Sequence, residues 1–180
     1  MVKISIFGLA GTGTSSTAKE LSIRHDLEFV SSGNMFRESA KSRNLSLMEF
    51  SRLCLKDESV DKELDKKVAD FGSKNDNFVI DSRLAWYFIP DSVKIKLVCD
   101  SDVRFARISE RDKIDIDEAI IKTLAREESE VNRYFNYYGI VDYSLDSNFD
   151  LIINTTSTSL LDVCDLIENY LKRKGFLEDN

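Results

Sequence analysis

Five short apolar runs punctuate the chain: VKISIF, LEFV, NFVID, VKIKLV and DLIIN. Each is four to six residues long and each is followed by a turn or by a helical pattern. Short apolar runs of this length, bounded by such signals, predict strands. Their alternation with helices predicts a parallel sheet flanked by helical layers. The first helix is expected near Ser15–His25, and the last from about Ser159 to Lys174–Gly175, where basic residues and a glycine make an ordinary helix end. His25, the single histidine, would close the first helix against its last carbonyls.

The middle of the chain breaks the alternation. Residues 33–74 carry no strand pattern and read as three helices, with Ser46 and Glu49 of SLME spaced as a capping box. A long charged helix is expected from about Asp115 to Tyr137, between the fourth and fifth strands. One α/β core with two helical interruptions therefore accounts for the whole chain as a single domain.

Composition narrows the picture. A chain of 180 residues with 42% hydrophobic content is long enough to bury a substantial core. Its formal charge of -7 argues against nucleic-acid polymers or anionic membranes as partners, because a negative field repels both. No apolar run approaches the roughly 20 residues of a membrane span. The start, MVKISIFG, runs directly into a strand. Cys54, Cys99 and Cys164 are odd in number and far apart, which suits free thiols in a reducing compartment better than a disulfide frame. The expectation is a cytoplasmic monomer.

Candidate chemistry begins directly behind the first strand, in GLAGTGTSST. Gly8 and Gly13 hold the glycine positions of the phosphate-binding pattern G-x-x-x-x-G-K-[ST], and Ser15 holds its hydroxyl position. Such a turn aims backbone N–H groups at an anion, the helix N-terminus adds positive potential, and the Ser15 hydroxyl suits Mg²⁺. Thr14 stands where the lysine belongs. Losing one preorganised donor to a reacting oxyanion costs roughly 10²–10³ in rate. Lys3 starts the strand about 16 Å behind the loop, too far to substitute. Lys19 lies about 6 Å along the helix, within reach of a lysine stem, but a solvated position on the helix surface is the expected one.

Further candidates gather at strand ends, the ligand edge of an open parallel sheet. Arg37 falls one turn inside the helix after LEFV, either at that edge or on an amphipathic surface. Asp81 and Arg83 end the third strand; the acid suits hydrated Mg²⁺ or a substrate hydroxyl, and the arginine a phosphate, unless the two pair with neighbouring charges. Arg104, Arg107 and Arg111 share one helix face, and Arg126, Glu130 and Arg133 another. Charged stripes usually face solvent. These two flank DKIDIDEAI, and arginines on a closing lid neutralise charge on a transferring phosphoryl group.

Together these stretches resemble the short, archaeal-type cytidylate kinases. The resemblance rests on GLAGTGTSSTAKEL, FVSSGNMFRE, LMEFS, VDKELD, VIDSRLA, VRFARISER, LAREESEVNRYFNYYGI and DLIINTT, and runs to about residue 170. It implies the nucleoside monophosphate kinase form of the P-loop NTPase fold: three layers, a parallel five-stranded sheet, a helical monophosphate-binding insertion at about 33–74 and a helical lid at about 111–138. It implies transfer of the ATP γ-phosphate to CMP or dCMP with Mg²⁺. By position, Gly8, Leu9, Ala10, Gly11, Thr12, Gly13, Thr14, Ser15 and Ser16 would hold the ATP phosphates. Arg37 and Arg83 would grip the acceptor phosphate, with Asp81 and Glu130 near the substrate and Arg126 and Arg133 acting on the transferring group. The chain departs from the family loop, close to GPPGSGKTT, at Thr14. Asn34 stands for an aspartate, and Asp81-Ser82-Arg83 for Glu-Gly-Arg. A nucleotide-binding protein without turnover, another acceptor on the same fold and a purely structural role are the alternatives.

Overall fold

The computed structural model describes residues 1–178, apart from the side chains of Leu47, Met48, Ser51 and Asp61. Strands β1 (Lys3–Gly8), β2 (Glu28–Ser31), β3 (Phe78–Asp81), β4 (Val93–Val98) and β5 (Leu151–Asn154) coincide with the five apolar runs. All pairings are parallel, and the order is β2-β3-β1-β4-β5. Five of the six residues of the central strand β1 are buried. The strand is thus covered on both faces, and Ser5, polar in the K-I-S-I stretch, is buried with its hydroxyl 2.8 Å from Ser92 Oγ. At the edge, β5 leaves Ile152 40% exposed.

Helices cover both faces. On one side α1 (Thr14–Arg24) buries Thr14, Thr17, Ala18 and Leu21, and α8 (Leu160–Arg173) buries Val163, Cys164, Ile167 and Leu171. Both sets recur at helical spacing and pack on Ile4, Ile6, Val79 and Ile95 of the sheet. On the other side α4 (Glu58–Lys74) and the short α5 (Ala85–Phe88) lay Val68, Ala85 and Ile89 over Val30, Phe78 and Ile80. The connection between β2 and β3 holds α2 (Ser32–Ser42), α3 (Leu47–Lys56) and α4, the three helices expected there. Its first two pack around a small core of their own, Ala40, Phe50 and Cys54. The Ser46–Glu49 capping box is formed: Glu49 N donates to Ser46 Oγ (3.3 Å) and Ser46 N to Glu49 Oε2 (2.8 Å).

The second interruption is a helical hairpin. Helices α6 (Ser101–Asp112) and α7 (Ile116–Tyr138) are joined by Lys113–Asp115 alone. Ile114, Ala119 and Ile120 of DKIDIDEAI pack against Phe105 and Ile108. Its apolar residues therefore close the hairpin.

Two expectations change. His25 ends α1 with its backbone N–H on Leu21 O (3.1 Å), but its ring turns to α8, where Nε2 lies 3.2 Å from Glu168 Oε1. That carboxylate is also held by Arg24 (2.9 Å), so α8 rather than the end of α1 is the neighbour of the ring. Arg104, expected on a charged outer stripe, is buried. Lys3 is tied at the opposite end of the sheet to Asp91 (2.8 Å), Asp76 (3.3 Å) and Gly72 O (2.9 Å). All three cysteines are free, with Cys54 and Cys164 buried.

Gly72 tests the α4–α5 packing. A Cβ there would stand 2.5, 2.7 and 2.9 Å from three side-chain carbons of buried Ile89. Alanine gains up to about 1 kcal/mol of helix propensity, whereas overpacking a core costs about 1–3 kcal/mol. Gly72→Ala is expected to lower the urea midpoint at unchanged m-value; an unchanged or raised midpoint would refute this tight contact.

Candidate functional site

The segment from Gly8 to Gly13 leaves the C-terminal end of β1 and turns into α1. Gly11 (φ 84°) and Gly13 (φ 94°) adopt left-handed backbone that a side chain disfavours. Gly11 also passes so close to α6 that a Cβ would stand 2.6 Å from Arg104 O.

The loop's carbonyls are tied one after another, by neighbouring segments and by the loop itself. Gly8 O accepts from Arg83 Nη1. Leu9 O accepts from Thr12 Oγ1 (2.8 Å) and Thr12 N (3.2 Å). Ala10 O accepts from Arg104 Nε (2.8 Å), Gly11 O from Arg107 Nη1 (3.3 Å) and Thr12 O from Thr155 Oγ1 (2.9 Å). Arg107 is anchored in turn on Thr155 O (2.8 Å). A planar trans peptide points its N–H opposite its C=O. The Ala10 and Thr12 carbonyls, drawn outward by Arg104 and Thr155, therefore leave the amides of Gly11 and Gly13 facing the concave side, as an anion site requires.

Thr14 is the first residue of α1 and is buried. Its side chain lies back over the loop: a Cβ on Gly8 would be 2.7 Å from Thr14 Cγ2. Beside it, the Ser15 hydroxyl donates to the Asp81 carboxylate across the gap between α1 and β3. Asp81 reaches this point because it pairs with Ile6, two residues before the loop. Ser16 is exposed on α1, and Lys19, also exposed, sets its ammonium 5.8 Å from the Phe29 ring centroid.

Helix α7 forms the facing wall. Glu130 is buried and lies between two guanidiniums, Arg83 Nε at 3.1 Å and Arg126 Nε at 2.9 Å. Burial pushes its carboxyl up, but Arg83, Arg126 and Arg133 outweigh that and hold it below the usual glutamate range. One turn earlier Glu127 pairs with buried Arg104. Arg133 Nη2 donates to the Tyr134 hydroxyl (3.3 Å), and burial raises that phenol's pKa. Tyr143, packed edge-on against Tyr134 and Phe7, is pushed up to about 12 by burial, with Glu130 adding to the shift.

Of the residues singled out in the sequence, Gly8, Ser15, Asp81, Arg83, Glu130 and Arg126 thus meet around one loop. Arg37 stands apart on α2, exposed, its Nη2 donating to Asn34 Oδ1. A cleft of about 400 Å³ between α3 and α7 is lined by Leu55, Ser129, Asn132, Arg133 and Tyr137. The tethering by Arg104, Arg107 and Thr155 went unread in the sequence; the i, i+3 spacing of the arginines was the only sign, and it does not say what they face. Among the described residues no three His, Cys, Asp or Glu side chains cluster as a metal site, and no helix is long and apolar enough to cross a membrane.

Solved structures with this architecture include an uncharacterized protein from Eubacterium ventriosum, with a TM-score of 0.73 at 18% identity over 96% of this chain and 99% of that one. Shikimate kinase from Aquifex aeolicus gives a TM-score of 0.61 at 17% identity over 97% and 98%. Likeness at such low identity speaks for the fold alone, an α/β fold with a parallel five-stranded sheet between helical layers. Sequence relatives reach further. The chain is 38% identical to the cytidylate kinase of Methanobrevibacter smithii over 94% of its length and 98% of the relative's. It is 39% identical to that of Sulfolobus acidocaldarius over 97% and 96%. Residues 3–157 match the model of the cytidylate kinase-like family, a span that begins with β1 and takes in the tethered loop, the Ser15–Asp81 pair and the whole of α7. With loop, facing helix and near-complete relatives all in agreement, the chain belongs to the cytidylate kinase-like family.

Proposed function

We propose that the protein transfers the γ-phosphate of ATP to a phosphate oxygen of CMP or dCMP. The observation that carries this reading is the tethered loop joined through Arg83 to Glu130 and Arg126 of α7. Cytidylate kinases more than a third identical over nearly the whole chain supply the acceptor.

The amides of the loop bind the ATP phosphates, and Arg37 and Arg83 bind the acceptor phosphate. Arg126 and Arg133 neutralise charge on the transferring group, and Glu130 holds Arg83 and Arg126 in place. The attacking phosphate oxygen is already an anion, so no general base is required; catalysis consists of positioning and charge neutralisation. A divalent cation such as Mg²⁺ fits the Ser15 hydroxyl and Asp81 carboxylate, which are hard oxygen donors already in contact. Bound there, it would supply charge neutralisation on the nucleotide phosphates. Residues 33–74 serve as the acceptor-binding insertion, and residues 111–138 as the lid that excludes water.

A second reading is favoured by one observation: the buried side chain at position 14 carries no charge. On that reading the protein binds nucleotides without turnover.

The purified protein, supplied with MgATP and each of CMP, dCMP, UMP, AMP and GMP, is expected to form CDP and dCDP well above the other diphosphates. Binding of CMP with silence across the panel would support the second reading; a preference for another acceptor would move the assignment within the fold. Arg126→Ala and Arg133→Ala are each expected to lower kcat about 10²–10³-fold, the scale for loss of one preorganised group at a reacting oxyanion. Near-normal kcat in both would remove these arginines from the reaction.

A further inference from the structure

The loop lacks its lysine, and a buried guanidinium stands beside the place that ammonium would occupy. Side chains on a helix lean toward its N-terminus, so a residue at position 14 runs back over the loop. Thr14 does so, with Cγ2 packed over Gly8. The same residue, Gly8, gives its carbonyl to Arg83 Nη1. The strand register explains the meeting: Ile6 of β1 pairs with Asp81 of β3, so two residues further on Gly8 and Arg83 come side by side.

We infer that Arg83 supplies the fixed positive charge that the phosphate loop lacks at Thr14, and so belongs to the ATP site as well as to the acceptor site. This rests on the kinase reading above and adds a second role for the arginine. Its side chain is only 13% exposed and its Nε is fixed by Glu130, so the charge is preorganised. A guanidinium has five N–H donors, and these two contacts leave three for phosphate oxygens. Glu130 is shared between Arg83 and Arg126, so one carboxylate faces two cations and the trio stays positive. The other cations near the loop are engaged elsewhere. Lys19 lies over Phe29, Lys3 is tied down at the far end of the sheet, and Arg104 and Arg107 hold Ala10 O and Gly11 O from the outer side.

This assignment reverses the usual expectation for restoring a lysine. An ammonium at position 14 would enter the space beside a guanidinium, where like charges repel. The test is a two-by-two set, wild type, Arg83→Ala, Thr14→Lys and the double variant. Each is measured for MgATP affinity by calorimetry without acceptor and for turnover with CMP. Arg83→Ala is expected to weaken MgATP about tenfold or more, the scale of one charged hydrogen bond. Thr14→Lys alone is also expected to weaken it, and the double variant to bind more tightly than Arg83→Ala. Arg83→Gln, which keeps a donor for Gly8 O without the charge, covers misfolding of the alanine variant and is expected to show the same loss.

An arginine serving the acceptor alone would leave MgATP affinity in Arg83→Ala and Arg83→Gln within twofold of wild type, and that result overturns the inference. So does a Thr14→Lys variant that binds MgATP more tightly than wild type. Wild type that turns over CMP while the double variant recovers nothing refutes the role of Arg83 and leaves the kinase reading standing. Wild type that neither binds MgATP nor phosphorylates any acceptor refutes both.

Discussion

Everything at the ligand edge depends on which way the peptides of residues 8–13 point. A bare glycine-rich turn has many conformations, and fixing each residue's backbone costs roughly 1–2 kcal/mol in entropy. Here five successive carbonyls are tied by donors from the segment after β3, α6, the segment after β5 and the loop itself. The concave face of amides is therefore built before any anion arrives. Most of these donors stand outside the loop, so its shape is determined largely by residues beyond its own short sequence.

Two of those ties extend to α7. Glu127 and Glu130 lie three residues apart on one face of the helix, and each holds an arginine that itself holds a loop carbonyl. These pairs are buried, and removing one partner of such a pair costs about 3–5 kcal/mol, because the other charge is left uncompensated. Exposed pairs such as Lys62–Glu58 and Lys122–Glu118 contribute about 0–1 kcal/mol by comparison. The buried acids thus lock loop and helix into one frame, with Arg126 left 64% exposed at its rim. An exposed guanidinium anchored at Nε on a fixed carboxylate is a suitable group to meet a phosphate.

The five strands were legible as short apolar-rich runs bounded by turn and helix signals, and the three helices of the first interruption because strand patterns are absent there. The Ser46–Glu49 box was legible because capping is local, spanning three residues. The same locality misled at His25. Its nearest acceptors along the chain are the ends of its own helix, but its actual neighbour is Glu168, brought in by α8. Arg104 misled for a related reason: the sequence marks a charged residue, and charge alone implies solvent unless a buried partner is known.

By itself the sequence determined the parallel α/β architecture, the site of the phosphate loop, the absence of its lysine and the family resemblance, since all of these depend on residue type and short-range spacing. Only the tertiary structure decided that Arg83, Arg104 and Arg107 hold the loop carbonyls, that Glu130 meets Arg83 as well as Arg126, and that Arg37 stands apart from them on α2. The ties of the three arginines to the loop and of Arg83 to Glu130 join residues separated by 47 to 96 positions in the chain. Sheet register and helix packing bring them together, and no local pattern records that.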